Sequence, residues 1–140
     1  MSLTKVGIIT KHGIAQRELA FLKKIINLLV KQKKTVLLDE HIETALSGKK
    51  GLTKDAIMVK ADLVVIIGGD GTIIKSAASA GAKTPLILAV NMGNRGFFTE
   101  IKADQLEAAL QKVFQKKFTI DKRELLEVAH YRHNKKIAQY

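Results

Sequence analysis

Two glycine-containing segments hold most of the chemistry-bearing residues. The first is Gly68-Gly69-Asp70-Gly71-Thr72, directly after the apolar run Leu63 to Ile67. Glycines lack a Cβ, so the backbone there can turn sharply and come close to a ligand. Successive N–H groups at the start of a helix form an anion cradle, and phosphate is the natural guest. The spacing is neither that of a Walker loop nor Gly-x-Gly-x-x-Gly. Asp70 is out of place in a phosphate cradle unless it has a task. It could take a proton from an attacking hydroxyl, hold a metal, or cap the helix from Thr72. Thr72 could bind phosphate or serve as a cap. Lys75 could reach a phosphate or stand solvated. The second segment runs Asn91-Met92-Gly93-Asn94-Arg95-Gly96-Phe97-Phe98-Thr99-Glu100. Asn91 could bond a ribose or turn the backbone. Arg95 could pair bidentately with phosphate. Phe97 and Phe98 read as core residues of a turn.

The elements that must position these segments follow from apolar patterning. Lys5–Thr10, Thr35–Leu38, Asp62–Ile67 and Pro85–Val90 are short, near-continuous apolar runs, the signature of strands covered on both faces. Helical spacing predicts a helix from Ala15 to about Lys33, with Leu19, Leu22, Ile26, Leu29 and Val30 inward. It predicts another through Ile73, Ile74, Ala77, Ala78 and Ala80, stopped near Gly81. A third runs from Ala103 to Lys116 through Leu106, Ala109, Leu110, Val113 and Phe114. Residues 39–50 read as a loop or a short helix, and 52–60 are ambiguous. The order β-α-β-β-α-β-α gives an α/β fold, an open parallel sheet with helices on both faces, Rossmann-like and doubly wound. Ligands of such sheets bind beyond the carboxyl ends of the strands, where both glycine segments fall. Residues 1–117 are thus expected to form one α/β nucleotide-binding domain. From Phe118 the texture changes to strand-like pieces, Phe118–Asp121, Leu125–His130 and Lys136–Tyr140, with a turn at Arg132–Lys135. Residues 118–140 read as the start of a β-rich second domain cut short at Tyr140.

Composition limits the alternatives. The chain has 140 residues, 46% of them apolar, which suits a packed core. It has no Cys, which removes disulfides and thiolate chemistry. Neither a signal peptide nor an apolar run long enough to span a membrane is visible, and a cytoplasmic location is expected. The formal net charge is +11, from 24 Lys and Arg against 13 Asp and Glu. A polyanion partner is one reading. A lysine-rich solvated surface with cations at helix C-termini is the other. The seven aromatics do not alternate with the basic runs, so no nucleic-acid stacking platform is visible. His12 follows the first strand and could touch phosphate or lie in an ordinary turn. His130 and His133 lie on no predicted helix and give no metal-binding spacing.

Together, Gly68-Gly-Asp-Gly-Thr72 and Asn91-x-Gly93-x-x-Gly96-Phe97-Phe98-Thr99 resemble the motifs of the NAD kinase family. Lys122-Arg-Glu-Leu-Leu-Glu-Val128 is similar to that family's entry into its second domain. The first motif is shared with diacylglycerol, sphingosine and 6-phosphofructokinase-like enzymes; the pair of motifs is more specific. The resemblance implies a transferase that moves the γ-phosphoryl group of ATP to the 2′-hydroxyl of the adenosine ribose of NAD, giving NADP. ATP would come with Mg2+ or another divalent cation, and no protein metal site is implied. Asp70 matches the catalytic base, which also contacts NAD. Gly71 and Lys75 match NAD-contacting positions, and Gly68 and Gly69 match the phosphate-proximal turn. Thr72 and Asn91 complete the nucleotide-binding set. Arg95 stands where the family commonly has leucine. The family's Asn-Glu pair, which grips NAD from the second domain, would follow Tyr140, so the 140 residues alone are expected to be inactive. Partners are expected to be small nucleotides, without nucleic acid or membrane, with the full-length protein a homo-oligomer. A lipid kinase domain, or a non-catalytic phosphate- or nucleic-acid-binding module, is the alternative.

Overall fold

A computed structural model of the chain describes residues 2–11, 14–80, 84–93, 96–99, 101–124, 126 and 128–139. The expectations for His12, Gly81, Arg95 and the ends of the Leu125 and Tyr140 segments lie outside them. The elements are β1 (Lys5–Thr10), α1 (Gln16–Lys31), β2 (Thr35–Leu38), α2 (Glu40–Ser47), α3 (Lys54–Lys60), β3 (Leu63–Ile67), α4 (Asp70–Ala78), β4 (Leu86–Asn91), β5 (Ile101–Lys102), a 3-10 turn (Ala103–Gln105), α5 (Leu106–Phe114), β6 (Ala129–Arg132) and β7 (Lys135–Gln139).

The first five strands form one parallel sheet in the order β2-β1-β3-β4-β5. The expected α/β class and doubly wound sheet are therefore present. Where β-β was expected between β2 and β3, two helices intervene. The reason is topological: β3 pairs with β1 on the side away from β2, and a parallel crossover must traverse a face of the sheet. Asp39 and Thr53 start these two helices. Their side chains accept from the N–H groups of Ile42 and Ala56 at 2.9 and 3.2 Å. Gly48, at φ +70°, closes α2 in the left-handed conformation that glycine adopts without strain.

Alternation along the strands divides the core. Val6, Ile8, Leu63, Val65, Ile67 and Val90 face α1, α2 and α5. Ile9, Val64 and Ile66 face α3 and α4 with Ile57, Met58 and Ile73. Gly7 lets α3 press onto the sheet, since a Cβ there would collide with the Ile57 side chain and sit 3.4 Å from Ala61 and Val64. Two helix faces differ from expectation. Val30 is 58% exposed, and α1 buries Ile25 instead, because the inward stripe follows Leu22, Ile25 and Leu29. Ile74 is 51% exposed, and α4 buries Ile73 and Ser76. A stripe three and four residues apart is narrower than the apolar composition of either helix suggests.

Beyond α5, Phe118–Asp121 is not a strand; it is exposed chain without sheet partners, so apolar composition there does not make an element. β6 and β7 pair antiparallel around His133 and Asn134, both at positive φ. That is the geometry of a two-residue primed turn, and it puts Arg132 and Lys135 into strands rather than the turn. No helix among the described residues is long and apolar enough to cross a membrane.

Candidate active site

Strand order places the site. β1 leads to β2 on one side and borders β3 on the other, so the topology reverses between β1 and β3. At the carboxyl end of β3 the Gly68 N–H donates to Val90 at 2.9 Å, while the Lys11 N–H reaches Ile67 at 3.3 Å. The first glycine segment therefore leaves the sheet beside the reversal, with β4 and the second segment adjacent.

Gly68 is buried under Thr72; a Cβ there would come 2.8 Å from Thr72 Oγ1. Gly69 is the N-cap of α4 and offers no side-chain cap. The N–H groups of Thr72 and Ile73 turn back to the Gly69 carbonyl at 3.0 and 3.4 Å. Asp70 is thus the first helical residue, not a cap for a helix beginning at Thr72. A Cβ on Gly69, Gly71 or Gly93 would meet no atom of the described residues within 4 Å. The packing of the described residues does not demand glycine at those three positions.

The Asp70 carboxylate reaches across to the second segment. Oδ2 accepts the Phe97 N–H at 2.8 Å and Oδ1 the Phe98 N–H at 3.0 Å. Gly96 lies so close that a Cβ there would collide with Asp70 Oδ1 and sit 2.7 Å from its Cγ. Asn91, at the end of β4, is buried. Its Oδ1 accepts from Gly93 N–H at 2.6 Å, and its Nδ2 donates to Thr99 Oγ1 at 3.3 Å. Thr99 Oγ1 also accepts from the Gly96 N–H at 2.9 Å.

The structure therefore brings Gly68, Gly69, Asp70, Gly71, Thr72 and Asn91 to one edge of the sheet. Lys75 is exposed on α4, about 140° around the helix axis from Asp70 at 3.6 residues per turn. Phe97 is 94% exposed and Phe98 37%, against the expectation that both enter the core. The clasp on Asp70 uses their backbone and turns Phe97 outward. Among the described residues no three His, Asp, Glu or Cys side chains cluster as metal ligands. The Asp70 carboxylate is engaged by two N–H groups.

Sequence reasoning missed a second polar cluster at the same edge. Asp39 is 1% exposed and accepts the Thr10 N–H at 2.7 Å, besides capping α2. Lys54 Nζ donates to the Thr10 carbonyl at 2.7 Å. An Asp between a strand and a weak helical pattern is the signal that marks such a cap.

The sequence profile of the ATP-NAD kinase N-terminal domain matches residues 6–118. An NAD kinase of Geobacter sulfurreducens is 36% identical over 104 residues, 74% of this chain and 37% of that protein. An NAD kinase of Acetivibrio thermocellus is 30% identical over 138 residues, 98% of this chain and 47% of that protein. The chain thus spans less than half the length of these relatives. Yeast NADH kinase, solved with NADH, superposes with a TM-score of 0.67 at 21% identity over 82% of this chain and 39% of its own, a likeness of fold. With the profile match running from β1 past α5, the chain belongs to the ATP-NAD kinase family.

Proposed function

We propose that the chain supplies the phosphoryl-transfer edge of an NAD kinase, which moves the γ-phosphoryl of ATP to the 2′-hydroxyl of the adenosine ribose of NAD. The observation that carries this reading is the Asp70 clasp at the strand-order reversal, flanked by three glycines whose Cβ space the chain leaves open. A carboxylate has about four acceptor sites, so two N–H bonds leave one on each oxygen for a hydroxyl. The 2′-hydroxyl proton passes to Asp70 while its oxygen bonds to the γ-phosphorus and ADP leaves. A ribose hydroxyl is a weak nucleophile at neutral pH, and removing its proton in the transition state is the chemical contribution assigned to Asp70. The remainder is positioning and charge neutralisation. The uncapped first turn of α4, with Gly68, Gly69 and Thr72, faces phosphate; Lys75 adds a cation toward NAD. Magnesium would enter as part of the ATP substrate. Asn91, with both amide ends engaged, holds the second segment in place.

Gly71 tests the site independently of the proton transfer. Within α4, Gly71→Ala is expected to stabilise the fold by about 0.5 kcal/mol, since glycine is a poor helix former. The added methyl would fill space that the chain leaves open and the nucleotide would need. NAD affinity of the full-length enzyme, read by titration calorimetry, is expected to fall at least about tenfold, an effect of about 1.4 kcal/mol. A variant that is more stable and binds NAD normally would remove Gly71 from the contact surface. The 140-residue chain alone is expected to make little or no NADP, because it covers less than half the length of the NAD kinases it resembles. Robust NADP production by the chain would refute that.

A further inference from the structure

Asp70 would carry the proton transfer, but nothing on α4 fixes its side chain. As the first residue of a helix it could take several rotamers. What limits it is a pair of N–H donors from consecutive residues, Phe97 at 2.8 Å on Oδ2 and Phe98 at 3.0 Å on Oδ1. One donor on each oxygen constrains both side-chain torsions. Those donors sit in an exposed turn, so their own placement needs a cause. Phe97 does not supply it, being 94% exposed.

Thr99 does. It is 2% exposed, and its hydroxyl oxygen fills its two acceptor positions with the Gly96 N–H and Asn91 Nδ2. Asn91 belongs to β4, whose pairing to β3 ties it to the sheet. The chain of contacts is therefore sheet, Asn91, Thr99, Gly96, and then the two amides that hold Asp70. Gly96 completes it by leaving no Cβ against the carboxylate.

We infer that Thr99 is a positioning residue for Asp70, acting through the backbone of Gly96, Phe97 and Phe98. The inference rests on Asp70 being the proton acceptor of the proposed reaction. Valine has nearly the shape of threonine but accepts no hydrogen bond, so Thr99→Val would take the acceptor away from the Gly96 N–H and break the bond from Asn91 Nδ2. Small displacements of a reacting group, on the order of 1 Å, cost up to about 100-fold in rate.

The test is steady-state kinetics of the full-length enzyme with Thr99→Val, Thr99→Ser, Asp70→Asn and the Thr99→Val/Asp70→Asn double variant. Thr99→Val is expected to lower kcat about 10- to 100-fold with KM for NAD and ATP changed less than about threefold. Thr99→Ser, which keeps the hydroxyl, is expected to recover most of that loss. With Asp70→Asn already present, Thr99→Val should lower kcat by less than about twofold, since the two act as a unit. A fully additive loss in the double variant, or equal losses for Val and Ser, would overturn the relay while leaving Asp70 as base. Unchanged kcat in Asp70→Asn would overturn the base itself and the relay with it. Amide exchange in the 140-residue chain gives a readout free of turnover. Protection of the Phe97 and Phe98 amides is expected to drop about tenfold in Thr99→Val and to persist in Thr99→Ser. Equal protection in both variants would sink the inference.

Discussion

Asp70→Asn in the full-length enzyme is expected to lower NADP formation by about 100- to 10,000-fold, the range that a positioned general base contributes. The substitution is nearly isosteric, so nucleotide access along the edge should be unaltered. The amide cannot accept a proton as the carboxylate can, and that removes the chemistry proposed for Asp70. It also weakens the clasp in a calculable way. The Asn oxygen can keep one of the two N–H bonds from Phe97 and Phe98, but the NH2 group would face the other donor. Losing one half-exposed hydrogen bond costs about 1 kcal/mol, far short of the unfolding free energy of a domain. Turnover by quench-flow or coupled assay and thermal unfolding therefore separate the two roles. A folded variant within about twofold of the parent rate would exclude Asp70 as the base, because no general-base contribution is that small.

The sheet was legible because parallel strands buried on both faces are written as continuous apolar runs, and Leu63 to Ile67 and Leu86 to Val90 are such runs. β5 was not, because two residues, Ile101 and Lys102, carry no periodicity. α2 and α3 are short and weakly patterned. What makes them helices is an Asp39 cap, a Thr53 cap and burial of Ile42, Ile57 and Met58, of which the last depends on neighbours distant in sequence. At the site, glycine spacing located both segments, but the link between them was invisible. Asp70 and Phe97 are 27 residues apart, and their contact is made through a backbone N–H, which every residue type except proline offers. For the same reason Phe97 was misjudged as core: an aromatic side chain ordinarily goes inward, and here the backbone bond outranks it.

The family relationship and the geometry bear on different parts of the function. The profile match across residues 6–118 assigns the chain to a kinase family, and does so without reference to any distance. The clasp explains why two motifs twenty-odd residues apart belong to one site. The first motif supplies a carboxylate, and the second supplies the donors and the bare Gly96 surface that orient it. The +11 net charge is compatible with anionic nucleotides, yet Lys11, Lys24 and Arg123 pair with acidic groups of the chain itself. Charge alone therefore locates nothing, and the sheet topology does.

The other carboxylate at this edge should behave in the opposite way. Asp39→Ala is expected to cost about 1.5 to 5 kcal/mol of stability, the sum of two separate losses. Removing an N-cap costs about 0.5 to 2 kcal/mol, and here the cap holds the Ile42 N–H of α2 at 2.9 Å. Leaving a buried donor unsatisfied costs about 1 to 3 kcal/mol more, and the Thr10 N–H, now bonded to Asp39 Oδ2 at 2.7 Å, would be that donor. Alanine leaves no group to replace either bond, and at 1% exposure water has little access to do so. The damage would spread to the end of β1, where Lys54 Nζ holds the same residue's carbonyl. Such a loss is a large share of the 5 to 15 kcal/mol typical of a domain, so the urea midpoint of the 140-residue chain should fall sharply. Asp39→Asn should fall less, because its amide oxygen can keep one of the two N–H bonds. A midpoint shift for Asp39→Ala equivalent to under about 1 kcal/mol would mean that water replaces the carboxylate and that β1 and α2 are not joined through it. Asp70→Asn, measured beside it, should leave the midpoint nearly in place while the full-length enzyme loses its rate. Two acids, past the ends of β2 and β3 with β1 between them, are thereby told apart: one joins β1 to α2, and the other is the proposed base.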